Sequence, residues 1–180
     1  MRNQPIILDV SRWNDDPTTK QEIDFEQAKV NGAAGVFIRA VLDSRRDINF
    51  YDAWRDAGLA GLPRGSYGYF DYRYNAVNQA DAYLQTLNQI KDNYYGELPL
   101  VIDIEKKQGT RLPPRANYLK GIYQYVTRLR EATRHPILIY TNRGLIKYLS
   151  PIPEWMTKKY GLWLAWYPQA IFLCHPFRNR

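Results

Sequence analysis

The segment Leu98-Pro99-Leu100-Val101-Ile102-Asp103-Ile104-Glu105 sets two carboxylates into a run that is otherwise apolar. Successive side chains of a strand alternate faces, so Asp103 and Glu105 project into one space. An ionised carboxylate in an apolar interior costs several kcal/mol unless it is paired or held in a polar cleft. Two acids sharing a cleft are a candidate catalytic pair for acid–base work. The bland alternative is a pair of solvated acids at a strand end. Asp9 ends the apolar run Ile6-Ile7-Leu8 in a similar way, two residues before Ser11. Such an acid either joins the pair or caps the following turn.

The elements that must position these acids are visible as short apolar runs alternating with helical patterns, the form of repeated βα units around a parallel sheet. Strands are predicted near 6–10, 36–41, 65–70, 98–105, 137–141 and 162–167. Asp24 is placed to cap a helix ending at Gly32, and Phe50, Trp54 and Ala57 form a stripe stopped by Gly58. Ala76, Ala80, Tyr83, Leu84 and Leu87 form a further stripe. After Pro113-Pro114, Tyr118, Ile122, Tyr125, Val126 and Leu129 follow the helical period over several turns. This α/β alternation fits a TIM-like barrel or an open doubly wound sheet, and in both the chemistry gathers at the carboxyl ends of the strands. Asp9, Arg39, Tyr67, Tyr69, Asp103, Glu105, Tyr140, Asn142 and Trp166 fall at those ends. The aromatics among them suit a sugar-binding wall or ordinary core packing. No glycine-rich phosphate loop follows the first strand.

With 180 residues, 45% of them hydrophobic, the chain is sized for one domain. A formal net charge of +7 favours an anionic partner, whether nucleic acid, a membrane surface or an acidic wall polymer. The charges are scattered as pairs such as Arg45-Arg46, Lys106-Lys107 and Lys158-Lys159, without a basic helix or an RNA-binding motif. Most of them read as solvated surface, and no nucleic-acid partner is expected. Cys174 is the only cysteine and His135 and His175 the only histidines, so neither an intrachain disulfide nor a Cys/His metal site is expected. The amino terminus lacks the apolar core of a signal peptide, and no stretch approaches membrane-spanning length, so no membrane association is expected.

Asp9-Val10-Ser11, Ile38-Arg39-Ala40, Gly65-Ser66-Tyr67-Gly68-Tyr69-Phe70, Asp103-Ile104-Glu105, Tyr140-Thr141-Asn142 and Leu162-Trp163-Leu164-Ala165-Trp166-Tyr167 occur in this order. As a set they resemble glycoside hydrolase family 25, the muramidases of the Chalaropsis lysozyme type that include phage endolysins. The resemblance implies an irregular TIM-like β/α barrel over residues 1–168, followed by a divergent tail at 169–180. It implies cleavage of the β-1,4 bond between N-acetylmuramic acid and N-acetylglucosamine in bacterial peptidoglycan, without a cofactor or metal. Glu105 would be the general acid. Asp103 would remain ionised and stabilise positive charge, and Asp9 would support both. Tyr67, Tyr69, Tyr140 and Trp166 would line the substrate groove, with Arg39 and Asn142 fixing polar groups. Whether a carboxylate or the substrate's own acetamido oxygen attacks depends on the carboxyl separations. Lacking a visible export signal, such an enzyme is expected to be phage-encoded or otherwise released onto the wall.

Two departures accompany the resemblance. Family members commonly carry His between the aromatics of the third strand, where this chain has Gly68, so any contact of that imidazole is expected to be absent. Past Tyr167-Pro168 the usual closing strands are not recognisable, and the barrel is expected to be incomplete at its last two strands, with Ile171-Phe172-Leu173 a weak substitute. An open sheet edge invites self-association or a virion partner. The alternative function is therefore a non-catalytic wall-binding or virion structural component built on the same barrel.

Overall fold

A parallel sheet with strand order β1-β2-β4-β5-β6-β7 organises the computed structural model, which describes residues 5–14, 23–91 and 94–165. The strands are β1 (Ile6–Val10), β2 (Ala33–Leu42), β4 (Arg64–Phe70), β5 (Leu100–Ile104), β6 (Ile137–Asn142) and β7 (Gly161–Ala165). A two-residue strand, β3 (Arg45–Arg46), pairs antiparallel with the end of β2 and was not anticipated. Helices α1 (Phe25–Val30), α2 (Phe50–Leu59), α3 (Ala76–Leu87), α4 (Arg115–Thr133) and α5 (Arg143–Leu149) connect the strands. A short π-helical turn, Trp155–Lys159, precedes β7.

The helical stripes are core. In α4, Tyr118, Ile122, Tyr125, Val126 and Leu129 are all buried, and in α3 so are Ala76, Ala80, Tyr83, Leu84 and Leu87. Asp24 caps α1 by accepting a 2.7 Å hydrogen bond from the Gln27 amide, and Gly32 follows with a φ of 97°. The expected stop of α2 at Gly58 is wrong. The helix runs through Gly58 to Leu59, and the left-handed residue is Gly61, φ 67°. Gly58 serves packing instead: a Cβ there would stand 2.2 Å from Arg64 Nη1, the atom that donates to the Trp54 carbonyl at 2.9 Å.

The sheet is curled into part of a barrel. β2 and β7 are separated by three intervening strands, about 19 Å in a flat sheet, yet the Phe37 and Trp163 rings meet with centroids 5.0 Å apart. Only inward curvature brings these rings together. Among the described residues β1 and β7 are the outer strands of an unclosed barrel, an incomplete TIM-like arrangement. The tail from 169, and the substitute strand expected there, lie outside the described residues.

Alternation assigns the faces. Asp9 pairs with Phe37, Arg39 with Tyr67, Tyr67 with Val101, Tyr69 with Asp103, Asp103 with Tyr140, and Tyr140 with Trp163. These residues share the concave face, while Ile38, Phe70, Ile102 and Ile139 pack under the helices. A register shift between Arg39 and Val41 breaks the alternation of β2. It leaves Arg39 inward and sends Val41 into the helix-side core. Gly68 also faces the helices: a Cβ there would lie 2.4 Å from Tyr125 Oη and 3.0 Å from Val41 Cγ2. A side chain at this position would meet the core, not the concave groove.

Gly68→Ala should therefore destabilise the chain by about 1–3 kcal/mol through overpacking. Tyr125→Phe removes a buried hydroxyl that has no hydrogen-bond partner and should restore much of that loss. Denaturant midpoints of the two single variants and the double variant check this; independent, additive effects would contradict it.

Candidate active site

Asp9, Phe37, Tyr67, Val101, Asp103, Tyr140 and Trp163 line a narrow cleft on the concave face. β5 ends at Ile104, so Glu105 is the first residue beyond the strand, half-buried at the rim. Asp103 is set deeper, and its Oδ1 is buried without a hydrogen-bond partner. Burial, then the negative charges of Glu105 and Asp9, push the Asp103 carboxyl well above the ordinary aspartate value, with Arg39 opposing. Asp9, on an outer strand, keeps an exposed side, but partial burial of its carboxyl raises its pKa, while a hydrogen bond from Tyr67 and the charge of Arg39 act in the other direction.

The polar groups around the acids are fixed by secondary structure. Asn142 Oδ1 caps α5 by accepting from the Leu145 amide at 3.0 Å. This turns Asn142 Nδ2 toward Glu105 Oε1, 3.5 Å away. Tyr118 donates a 3.4 Å bond to the Glu105 carbonyl and so ties the loop to α4. Tyr69 lies beside Asp103 and Glu105, and burial together with these charges pushes its hydroxyl up to about 12. It remains a neutral donor. Tyr67 is likewise raised, by burial and by Asp9, and its hydroxyl donates to Asp9. Tyr140 meets Trp163 edge-on at 5.2 Å.

Arg39, expected to hold substrate groups, is engaged by a residue the sequence did not single out. Its Nε donates to Asp47 Oδ2 at 2.7 Å. Nη2 approaches the same oxygen at 2.7 Å, although outside good hydrogen-bond geometry. Asp71, immediately after β4, is also buried. Burial pushes its pKa up, but hydrogen bonds from Arg73 and the charges of Arg73 and Lys107 prevail, and the net shift is downward. With Lys107 Nζ 3.7 Å away, Asp71 links the loops after β4 and β5. Phe37 and Trp163 were missed as well. Strict alternation from Arg39 would have found Phe37, and the strand-end rule applied to Phe70-Asp71 would have found Asp71. Trp166 lies outside the described residues. Among those residues, no group of three or more His, Cys, Asp or Glu is placed to hold a metal ion.

The sequence pattern of the glycosyl hydrolases family 25 matches residues 8–171. The chain belongs to this family. YegX of Escherichia coli (strain K12) is 27% identical over 164 residues, 85% of this chain and 56% of YegX. The chain thus spans about half the length of the curated relatives it matches. A family 25 glycosyl hydrolase from Bacillus anthracis superposes with a TM-score of 0.76 at 19% identity, covering 91% of this chain and 71% of that one. The bacterial lysozyme from Streptomyces coelicolor gives 0.76 at 21%, covering 93% and 77%. These likenesses establish the fold.

Within this family 25 site, the Asp103 carboxyl is held well above its ordinary value because burial and two neighbouring acids outweigh Arg39. A carboxyl whose folded pKa is raised binds a proton in the folded chain that the unfolded chain has already released. Stability then falls as pH rises from about 3.8 through the folded value, and the loss persists above it. Asp103→Asn should therefore raise the Tm at pH 7 and flatten this part of the profile, each kcal/mol recovered being worth about 2–4 °C in a chain of this size. Thermal melts of both proteins from pH 4 to 8 check this. Parallel profiles would contradict it.

Proposed function

We propose that this chain is a peptidoglycan hydrolase of the muramidase type, cleaving the β-1,4 bond between N-acetylmuramic acid and N-acetylglucosamine with Glu105 as the general acid. The observation that carries the proposal is that Asp9 and Asp103 line one cleft, with Glu105 the next residue beyond the same strand end, in a chain of family 25. The free volume between the cleft residues is about 20 Å³, enough for a water and not for a sugar ring. The substrate therefore lies across the mouth, against Glu105, Tyr69 and Asn142, with Asp103 beneath it.

In the free site, burial and the charges of Glu105 and Asp9 hold the Asp103 carboxyl well above its ordinary value. A sugar seated over Glu105 removes water from that carboxylate and favours its neutral form. Positive charge developing at the anomeric carbon favours ionised Asp103, which has little other compensation. Both effects suit a division of work in which Glu105 is the acid and Asp103 the stabilising anion. Glu105 then protonates the glycosidic oxygen as the bond to the anomeric carbon breaks, with the Asp103 carboxylate facing the oxocarbenium-like carbon, and a water adds its oxygen to that carbon and returns a proton to Glu105. Tyr67 and Arg39 restrain Asp9, whose negative charge adds to the same field. The place of action is the bacterial wall. Among the described residues no helix is long and apolar enough to cross a membrane.

Glu105→Gln should lower the release of reducing ends from purified peptidoglycan by about 10²–10⁴-fold, with melting behaviour close to native. Retained turnover would reassign the acid. A native chain that binds the wall tightly yet releases no reducing ends would favour the non-catalytic alternative.

A further inference from the structure

Beside the acidic mouth, the carboxyl end of β2 turns back on itself. Asp43 adopts a φ of 55°, and the tight Asp43-Ser44 turn sets Leu42 opposite Arg45 and Val41 opposite Arg46. This hairpin holds Arg45 and Arg46 against Arg12 and Arg39, and with Asp47 they line a pocket of about 160 Å³. The Arg45-Arg46 pair, read from the sequence as solvated surface, forms one wall of a cavity.

The charges in this pocket do not cancel. Asp47 is buried and already occupied: Oδ2 accepts from Arg39 Nε at 2.7 Å and from the Arg12 amide at 3.3 Å, and Oδ1 from the Asn49 amide at 3.2 Å. Asp43 is paired with Arg45 at 3.0 Å. Arg12 and Arg46 are held differently. The Arg12 guanidinium lies 4.4 Å from the Trp13 ring centroid and that of Arg46 lies 4.9 Å from the Tyr51 centroid. Neither has a carboxylate within ion-pair distance among the described residues. Aromatic stacking orients both cations without neutralising them. A planar carboxylate suits such a pair of guanidinium forks.

Arg39 joins this pocket to the carboxylate cluster. It lines the pocket, and its charge acts on both Asp9 and Asp103. An anion in the pocket would therefore stand beside the same arginine whose charge acts on the acids. We propose that the pocket formed by Arg12, Arg45 and Arg46 over Arg39 is a subsite for a carboxylate of the peptide stem attached to the glycan. The substrate assignment rests on the muramidase proposal. The anion site rests on the arginines alone.

The test compares peptidoglycan with the same glycan after enzymatic removal of its peptides, for the native chain and for the double variant Arg12→Gln/Arg46→Gln. For the native chain, kcat/KM should favour the peptide-bearing glycan by about tenfold, mainly through KM. In the variant this ratio should fall toward one. A native ratio of one, or an unchanged ratio in the variant, overturns the proposal. A second measurement needs no turnover: glutarate and inorganic phosphate are titrated separately while tryptophan fluorescence is read, Trp13 being the ring stacked on Arg12. Saturable glutarate binding that is about tenfold weaker in the variant supports the subsite. Equal binding by both proteins overturns it, and phosphate binding tighter than glutarate overturns the carboxylate assignment in favour of a wall phosphate. Glutarate binding with no turnover of either glycan, while a control lysozyme cleaves both, counts against the muramidase proposal and the stem assignment but leaves the anion site standing.

Discussion

Asp103 is a carboxyl group that its surroundings resist ionising. It is placed inside a curled sheet, one oxygen lacks a hydrogen-bond partner, and the nearest formal charges include Glu105 and Asp9. A fold optimised only for stability would place an apolar residue here, since an uncompensated buried carboxylate costs more than the packing it displaces. Such a group has most to gain from a cation brought to it. Under the proposed function, sugar cleavage would create that cation transiently, and the same burial that disfavours the resting anion would then favour the charge-separated arrangement.

The rest of the structure maintains this condition. Curvature of the sheet brings Phe37 and Trp163 into contact across the concave face and leaves space for little more than a water beside the acids. Tyr67 and Tyr69 supply neutral hydroxyls whose burial and acidic neighbours keep them protonated. The cap of α5 orients Asn142 toward Glu105. Asp71 and Asp47 hold permanent counter-cations close to the site, Asp71 across the loops after β4 and β5 and Asp47 through Arg39. The arginines of the β2–β3 hairpin extend positive charge from this centre to a flanking pocket.

The features legible in the sequence were those governed by local periodicity. The five long stripe positions of α4 and the inward pairing of Tyr67 and Tyr69 with the Asp103 strand follow from helical and strand repeats, and the structure keeps them. Features that depend on meetings between distant segments were not legible. Asp47 pairs with Arg39 only because the short β3 hairpin returns the chain to β2. The direction of Gly68 became clear only with the helix packed above it, and the packing role of Gly58 only with Arg64 lying against it. The upward shift of the Asp103 carboxyl depends on burial, which the neighbouring acids visible in sequence do not reveal.

The most direct test is a carbon-13 NMR titration of the side-chain carboxyls in the native chain and in Glu105→Gln. The account predicts that the Asp103 resonance titrates well above the ordinary aspartate value of 3.8 and moves downward when the charge of Glu105 is removed. An Asp103 that titrates at its ordinary value, unaffected by that substitution, would contradict it.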